Sequence, residues 1–283
     1  MTLPSSLRLV IFDLDGVVYR GAQPVEGAPE LVSWLHERGA LVRFATNNSM
    51  VTRGGYVERL GAMGISITSE EVVTSTSATV EHLRRHAPEI RSVLAIGADG
   101  MREELGSAGL RVAMARDVAA EGAHEGGPLD AAYDAVIVGL DPTFAYSAMA
   151  VAMSAVAAGA RLIATNADAR YPTPVGFVPG AGAIVAALAT ATGVTPEVIG
   201  KPAPAMFTAI LEAAGVSADE AVVIGDNPDA DVVGARRAGC HTILVLTGVA
   251  DAELAGTLSG EREPDAVAAG PDEVRALLEP RIS

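Results

Sequence analysis

Short apolar runs rich in branched residues alternate with segments of helical periodicity along most of the chain. Such runs are typical of strands buried on both faces, and their alternation with helices predicts a mainly parallel sheet covered by helices. The expected fold class is therefore α/β, with a doubly wound sheet as its core. The predicted strands are Leu7–Phe12, Leu41–Ala45, Val93–Ile96, Ala135–Val138, Arg161–Ala164, Ala221–Ile224, Thr242–Leu246 and a last short one at Asp265–Ala269. The predicted helices are Ala28–Arg38, Arg53–Met63, Ala145–Ala158, Ile184–Thr192, Ala203–Ala214 and one at the C-terminus.

Composition excludes several classes of partner. The 283 residues carry a formal net charge of −15, which argues against nucleic acid and anionic membranes, because both are bound by basic surfaces. The uncharged stretches are too short, or too interrupted by proline and glycine, to span a membrane, and no signal peptide is expected. Cys240 is the only cysteine, so the chain forms no disulfide within itself and a reducing, cytoplasmic location is expected.

Two carboxylates, Asp13 and Asp15, directly follow the first predicted strand, and Gly16 comes next. Open α/β sheets bind their ligands at the carboxyl ends of their strands, so both acids fall where a ligand is expected. Two acids this close repel each other unless a cation holds them. Taken alone, the pattern is equally compatible with an ordinary acidic turn, and the other motifs must decide.

Two further segments carry groups that suit an anion. The segment Thr46–Ser49 follows the second predicted strand, and its side chains and backbone N–H groups can donate hydrogen bonds to a phosphate. The same residue types are also ordinary in turns and helix caps. Lys201 is the only lysine or arginine between Arg170 and Arg236. It is either an anion-binding group or an exposed loop lysine without a role.

A carboxylate-rich turn follows the predicted strand Ala221–Ile224. It has the sequence Gly-Asp-Asn-Pro-Asp-Ala-Asp at residues 225–231 and supplies Asp226, Asp229 and Asp231. Carboxylates of this density suit a hard cation that prefers oxygen ligands, and Mg2+ is usually held by one or two carboxylates, water and a substrate phosphate. The turn therefore favours a Mg2+ site at this strand end.

The four motifs are more informative together than separately. A doubly wound sheet gathers the carboxyl ends of its central strands into one crevice. Several acids, one lysine and small polar donors are the groups required for metal-assisted phosphoryl transfer through an aspartyl-phosphate. The residues expected to share this crevice are Asp13, Asp15, Thr46, Lys201, Asp226 and Asp231.

In order and spacing, these motifs resemble those of the haloacid dehalogenase superfamily of phosphatases. The closer resemblance is to subclass IIA, the p-nitrophenylphosphatase and phosphoglycolate-phosphatase-like branch. It is carried by Thr46–Ser49, Ala164–Asp168, and Pro179–Gly182 leading to Ile199–Pro202. The resemblance covers nearly the whole chain. It implies a catalytic core of residues 1–77 and 180–283 and an inserted α/β cap of residues 78–179.

The resemblance also implies roles in the reaction. Asp13 would be the nucleophile, and Asp15 the general acid and base. Thr46 and the backbone of Asn47 would hold the phosphoryl group. Lys201 would offset the charge of Asp13 and of the phosphate.

The implied cofactor is Mg2+. Its ligands would be Asp13, the backbone carbonyl of Asp15, and Asp226, with Asp231 supporting the metal site. Ala230 departs from the branch, which usually has threonine there. That change removes no ligand.

The leading functional hypothesis is a Mg2+-dependent phosphomonoesterase that acts on small phosphorylated metabolites and p-nitrophenyl phosphate. The alternatives are a phosphotransferase or phosphomutase using the same aspartyl-phosphate, and a non-enzymatic member that binds phosphorylated ligands. A dehalogenase needs no metal-binding acid at Asp226, and a receiver-type regulatory module is less than half this length and has no inserted cap.

Two expectations concern the cap. By resemblance, the segment Asn166–Pro174 carries substrate specificity, and Arg170 with Tyr171 would contact the part of the substrate beyond the phosphate. Arginine suits a second carboxylate or phosphate on a small metabolite. The resemblance also suggests a homodimer.

The glycine-rich segment Gly180–Val185 imitates a dinucleotide fingerprint but lacks its third glycine, and is predicted to begin a helix.

Overall fold

The computed structural model describes residues 3–122, 129, 132–173 and 175–282. Its strands, in chain order, are β1 Leu9–Phe12, β2 Tyr19–Arg20, β3 Gln23–Pro24, β4 Leu41–Thr46, β5 Val72–Thr74, β6 Ser92–Ile96, β7 Arg111–Met114, β8 Ala135–Val138, β9 Arg161–Ala164, β10 Arg170–Thr173, β11 Gly176–Pro179, β12 Glu197–Val198, β13 Ala221–Gly225, β14 His241–Val245 and β15 Ala266–Ala268.

The helices cover most segments between these strands. In chain order they are α1 Ala28–Glu37, α2 Arg53–Gly61, α3 Ser75–His86, α4 Asp99–Ser107, α5 Ala115–Ala120, α6 Tyr146–Ala157, α7 Ala181–Thr192, α8 Ala205–Ala214, α9 Val233–Arg237, α10 Ala252–Ala255 and α11 Pro271–Leu278. Short 3-10 turns lie at Ala218–Glu220, Gly260–Arg262 and Glu279–Arg281, and a π-helical turn lies at Pro228–Val232.

The chain divides into two compact units. The first contains Met1–Thr46, Arg53–Val73 and Lys201–Ser283, and the second contains Asn47–Thr52 and Thr74–Gly200. The predicted cap, residues 78–179, falls wholly inside the second unit, which also takes in residues 180–200. The physical reason is that β12 pairs with β9 and extends the sheet of the second unit.

The first unit is built on a parallel sheet in the order β15-β14-β13-β1-β4-β5. Every residue of β1 is buried, because β13 lies on one side of it, β4 on the other, and helices cover the sheet. Phe12 at the end of β1 pairs with Ile224 and with Phe44, so the three strands end side by side. The doubly wound α/β core predicted from the alternating pattern is confirmed.

The second unit contains its own parallel sheet, in the order β12-β9-β8-β6-β7. Helices α5, α6 and α7 pack against it through small and branched side chains such as Ala148, Val151 and Leu188. An antiparallel hairpin, β10–β11, follows β9. Sequence patterning did not predict this hairpin, because its residues are mostly exposed and include prolines, so they show no buried alternation.

Predicted elements differ from the structure mainly at their ends. Helix α7 begins at Ala181, three residues before the predicted Ile184, with Gly180 as its N-cap, which agrees with the reading of this glycine-rich segment as a helix start. Helix α3 was not predicted, because its sequence is mostly polar and its start depends on a capping box between Thr74 and Ser77. Among the described residues, no helix combines the length and apolar character that crossing a membrane requires.

Candidate active site

Asp13 and Asp15 lie on the turn that follows β1. The Asp13 backbone N–H donates to the carbonyl of Ile224 at 2.8 Å, which continues the β1–β13 pairing by one residue. Beyond it the chain turns back, and the N–H groups of Val18 and Tyr19 donate to the Leu14 carbonyl at 2.9 and 3.2 Å. The two carboxylates are therefore held by a strand end and by a tight turn.

The Lys201 ammonium makes three hydrogen bonds inside the first unit. Its Nζ donates to Asp13 Oδ1 at 2.6 Å and to Asp231 Oδ1 at 2.7 Å. A third hydrogen bond, of 3.1 Å, reaches the carbonyl of Ala45 near the end of β4. The side chain is 4% exposed, which excludes the reading of Lys201 as a solvent-facing loop residue.

Asp226 and Asp231 follow the neighbouring strand β13. Asp226 Oδ2 accepts a hydrogen bond of 2.6 Å from the N–H of Val249. Asp231 lies in the π-helical turn, and its Oδ2 accepts from the N–H of Asn227 at 3.1 Å while its Oδ1 binds Lys201. Both oxygens of Asp231 are thus engaged by protein donors, which fits a supporting position better than direct metal ligation.

Two glycines leave room for the Asp226 carboxylate. A Cβ placed on Gly16 or on Gly248 would collide with Asp226 Oδ2. Gly16 also has a φ of 83°, a backbone conformation that residues other than glycine rarely adopt. The backbone of the turn after β1 and of the turn after β14 therefore approaches this carboxylate closely.

The buried charges shift one another's protonation. Burial raises the pKa of Asp13 well above its ordinary value, and Lys201 opposes the rise. Burial and then the nearby Asp231 raise the pKa of Asp226 to about 7. Burial alone would lower the pKa of Lys201, but the attraction of Asp13 and Asp231 outweighs it and the pKa is raised. The Lys201 ammonium therefore stays charged, and a second cation would stabilise the carboxylates around it.

The donor set fits a divalent cation. Carboxylate oxygens of Asp13, Asp226 and Asp231 lie within 4.8 Å of one another, and Asp13 and Asp226 are the candidate ligands because both oxygens of Asp231 are engaged. Hard cations such as Mg2+ prefer oxygen ligands of this kind. The structure therefore contains an acidic candidate metal site at the ends of β1 and β13.

Asp15 lies beside Tyr19, a residue that sequence reasoning did not select. The Tyr19 hydroxyl donates to Asp15 Oδ2 at 3.2 Å. Burial raises the pKa of Asp15, while the guanidinium of Arg59 and then the Tyr19 hydrogen bond act in the opposite direction. Burial also raises the pKa of Tyr19 further above its ordinary value, so the phenol stays protonated. No sequence signal marks Tyr19, because only the turn brings it back to Asp15.

The predicted phosphate-binding segment begins at Thr46, the buried last residue of β4. Asn47 follows it and belongs to the second unit, where its Nδ2 donates to both carboxylate oxygens of Asp168 at 3.0 Å. Asn166 Nδ2 donates to the Asn47 carbonyl at 2.7 Å. Two residues of the 164–168 motif thereby hold Asn47 in place.

Arg170 and Tyr171 lie on β10 of the exposed hairpin. The Arg170 guanidinium carbon is 5.4 Å from the ring centre of Phe177 on β11, so the arginine that is isolated in sequence has an aromatic neighbour in the second unit. Tyr171 is half-buried, and its hydroxyl accepts from Asn48 Nδ2 at 3.4 Å. Pro174, the end of the predicted specificity segment, is outside the described residues, and substrate contact by Arg170 and Tyr171 stays a prediction.

Comparison with known proteins identifies the family. A model of the haloacid dehalogenase-like hydrolases matches residues 10–111, and a second, HAD-hydrolase-like model matches residues 198–273. The acid sugar phosphatase of Staphylococcus aureus is 35% identical over 243 residues, which make up 86% of this chain and 88% of that protein. The chain belongs to the haloacid dehalogenase-like hydrolase family.

Solved structures narrow the assignment. The p-nitrophenyl phosphatase from Archaeoglobus fulgidus is 31% identical with a TM-score of 0.83, over 96% of this chain and 99% of that one. The glycerol phosphate phosphatase from Mycobacterium tuberculosis, in complex with magnesium, is 33% identical with a TM-score of 0.82, over 97% of this chain and 78% of that one. These similarities support the predicted membership of subclass IIA within the family.

Proposed function

We propose that this phosphatase is a Mg2+-dependent phosphomonoesterase that hydrolyses small phosphorylated metabolites through an aspartyl-phosphate on Asp13. The observation that carries the proposal is the position of Lys201, whose ammonium binds Asp13 and Asp231 at 2.6 and 2.7 Å in a buried acidic cluster. A buried lysine of this kind holds a carboxylate in position and balances added negative charge, which is what a carboxylate nucleophile and a phosphate require.

In the proposed reaction, Asp13 attacks phosphorus as a carboxylate. The bond between phosphorus and the ester oxygen breaks, and Asp15 donates a proton to the departing alkoxide. Asp15 then accepts a proton from the water that attacks the aspartyl-phosphate, and free phosphate and the Asp13 carboxylate are released. Thr46, the Asn47 backbone and Lys201 are proposed to hold the phosphoryl oxygens.

The proposed ligands of Mg2+ are Asp13, the backbone carbonyl of Asp15, and Asp226, with Asp231 in support. When bound, the ion would supply positive charge that stabilises the phosphoryl oxygens and aligns them for attack. Asp226 is held by the Val249 N–H at 2.6 Å, so its remaining oxygen has a defined direction. The proposal is supported by the clustered carboxylate oxygens and by the relative that was solved with magnesium.

The direct test is hydrolysis of p-nitrophenyl phosphate by the wild type and by Asp13→Asn, each with Mg2+ and with a chelator. We expect Mg2+-dependent turnover by the wild type and none by Asp13→Asn, because an amide cannot attack phosphorus as a carboxylate does. Asp229→Asn is the matched control, since Asp229 is an exposed carboxylate of the same motif that pairs with Arg262 instead. Wild-type rates in Asp13→Asn at equal purity would refute the proposal.

The same assay separates the alternatives. A phosphotransferase or phosphomutase would release little free phosphate in water and more product when an alcohol or sugar acceptor is added. A non-enzymatic member would bind phosphorylated compounds without turning them over. The names of the relatives suggest sugar phosphates, glycerol phosphate and p-nitrophenyl phosphate as the first compounds to compare.

We further propose that Arg170 and Tyr171 contribute to substrate choice. Arg170→Ala and Tyr171→Ala should change kcat/KM unequally across these compounds, with p-nitrophenyl phosphate least affected, because it carries neither a hydroxyl nor a second anionic group beyond the phosphate. Arg111→Ala, which removes another exposed arginine of the second unit, is the control. Equal effects on every compound would locate specificity elsewhere.

The remaining proposals concern partners and location. A small phosphorylated substrate, no nucleic acid and no membrane partner remain the expectation for a chain of net charge −15. A homodimer and a cytoplasmic location are proposed on the resemblance and the single cysteine. Light scattering during size-exclusion chromatography measures the oligomeric state directly.

A further inference from the structure

The turn after β1 delivers a buried phenol to the side chain of Asp15. The Gly16 N–H donates to the Tyr19 carbonyl at 2.8 Å, and the Tyr19 N–H donates to the Leu14 carbonyl at 3.2 Å. Asp15 and Tyr19 also form an isolated β-bridge. These backbone bonds return Tyr19 to Asp15, where its hydroxyl donates to Asp15 Oδ2 at 3.2 Å.

Tyr19 is held firmly in this position. Its side chain is fully buried, so the ring cannot turn away into solvent. The Arg59 guanidinium carbon lies 4.0 Å from the ring centre, and its Nη2 donates to the carbonyl of Gly21 at 2.7 Å. Arg59 thus covers one face of the ring and is itself anchored to the backbone of the same turn.

The hydrogen bond distinguishes the two oxygens of Asp15. The Tyr19 hydroxyl is directed at Oδ2, which leaves Oδ1 as the oxygen available to a leaving group. At 3.2 Å the bond is longer than the usual range of about 2.5–3.0 Å for O–H···O, so its main effect is to orient the carboxyl group.

We propose that Tyr19, clamped by Arg59, is a positioning residue that directs Asp15 Oδ1 toward the leaving-group oxygen for proton transfer. This inference rests on the proposed function of Asp15 as general acid and base. In this role Tyr19 acts through the carboxyl group of Asp15. Its contribution should therefore appear only in steps that need the Asp15 proton.

The leaving group provides the test. Glycerol phosphate releases an alkoxide that needs a proton, while p-nitrophenyl phosphate releases a stable phenolate that hardly needs one. Asp15→Asn should lower kcat/KM for glycerol phosphate by about 10²- to 10⁴-fold, the usual range for a positioned acid–base group, and much less for p-nitrophenyl phosphate. This variant tests the role of Asp15 independently of Tyr19.

Tyr19→Phe should show the same selectivity on a smaller scale. We expect a loss of about threefold to tenfold in kcat/KM for glycerol phosphate, as for one hydrogen bond, and little change for p-nitrophenyl phosphate. In an Asp15→Asn background, Tyr19→Phe should have no further effect, because the proton it directs is absent. Tyr133→Phe is the control: it removes a partly buried tyrosine hydroxyl of the second unit that has no proposed role, and it should leave the ratio of the two substrates unchanged.

The outcomes separate the proposed role of Asp15 from the proposed role of Tyr19. If Asp15→Asn loses both substrates equally, the proposed role of Asp15 fails and this inference fails with it. If Asp15→Asn is selective but a folded Tyr19→Phe is not, only the inference on Tyr19 is overturned. If Tyr19→Phe does not fold, Arg59→Gln takes its place: a selective loss supports the clamp, and an equal loss overturns it.

Discussion

At the scale of single residues, the acidic cluster is stabilised by one ammonium. Lys201 is bound to Asp13, Asp231 and a backbone carbonyl, and removing one partner of a buried ion pair typically costs about 3–5 kcal/mol. The Asp226 carboxylate receives the Val249 N–H at 2.6 Å. Its raised pKa of about 7 reflects burial first and the neighbouring Asp231 second.

This arrangement predicts how stability varies with pH in the absence of divalent ions. Because the pKa of Asp226 is higher in the folded chain than its ordinary value of 3.8, the folded state holds more protons between these values. The contribution of Asp226 to stability should therefore fall as pH rises from about 4 to about 7 and stay constant above that. Asp226→Asn removes the charge and keeps an acceptor for Val249, so in a chelator it should unfold at a higher temperature than the wild type at about pH 8, and by a smaller margin at about pH 5.

Thermal unfolding followed by circular dichroism across pH measures this difference. Adding Mg2+ should reverse the order at about pH 8, because the ion stabilises the wild type and the variant lacks a ligand. Parallel pH profiles for the two proteins in the chelator would contradict the assignment of the shift to Asp226.

At the scale of elements, the site is made by turns that follow parallel strands. The turn after β1 carries Asp13 and Asp15, the turn after β13 carries Asp226, and the turn after β14 brings Gly248 against the Asp226 carboxylate. The Thr247 hydroxyl donates to the Gly16 carbonyl at 2.6 Å and joins the first and third of these turns. The geometry of the proposed metal ligands therefore depends on backbone spacing between turns.

Gly16→Ala tests this dependence. The new Cβ would collide with Asp226 Oδ2, so Asp226 must move and the Mg2+ needed for half activity should rise by about 10- to 100-fold, as for residues that support metal ligands. Gly21→Ala is the matched control, because Gly21 also has a positive φ, of 58°, but a Cβ there would meet no atom within 4 Å.

An alanine at Gly16 or at Gly21 should cost about 1–2 kcal/mol of stability, because both positions have a left-handed backbone. This shared loss cannot explain a difference in metal requirement between the two variants. Activity titrations against Mg2+ make the comparison. An unchanged metal requirement in a folded Gly16→Ala variant would show that Asp226 is not a ligand held by this turn.

At the scale of the whole molecule, charge favours a bound cation. The chain has a formal net charge of −15, and in the part of it that the structure describes an acidic cluster of three carboxylates lies at the ends of β1 and β13. A cation that binds the folded chain and not the unfolded one stabilises the fold in proportion to its concentration and affinity. Metal content should thus control stability as well as turnover.

We expect chelation to abolish phosphatase activity, Mg2+ to restore it, and Ca2+ to compete with Mg2+ without supporting turnover. Ca2+ takes more oxygen ligands at longer distances, so it would engage the Asp13 carboxylate that is proposed to attack phosphorus. Steady-state rates at fixed Mg2+ and increasing Ca2+, together with unfolding temperatures in each ion, provide the measurement. Full activity after exhaustive chelation, or equal activity in Ca2+, would reject the proposed metal site.

Much of this protein could be predicted from its sequence. The alternation of apolar runs and helical segments predicted the parallel sheet, because strands buried on both faces leave a distinct pattern. The convergence of strand ends then predicted that Asp13, Lys201, Asp226 and Asp231 would lie together, and the structure does bring them together. Local pattern and a general rule of sheet topology were sufficient for both.

Other features were decided only by the tertiary structure. The contact of Gly248 with Asp226, the hydrogen bond between Tyr19 and Asp15, and the stacking of Arg170 on Phe177 depend on how individual turns bend. Residues 180–200 join the second unit because β12 pairs with β9, and a two-residue strand has no sequence pattern of its own. Patterning is set by burial averaged over a whole element, whereas these contacts are set by a few backbone dihedral angles that bring distant residues together.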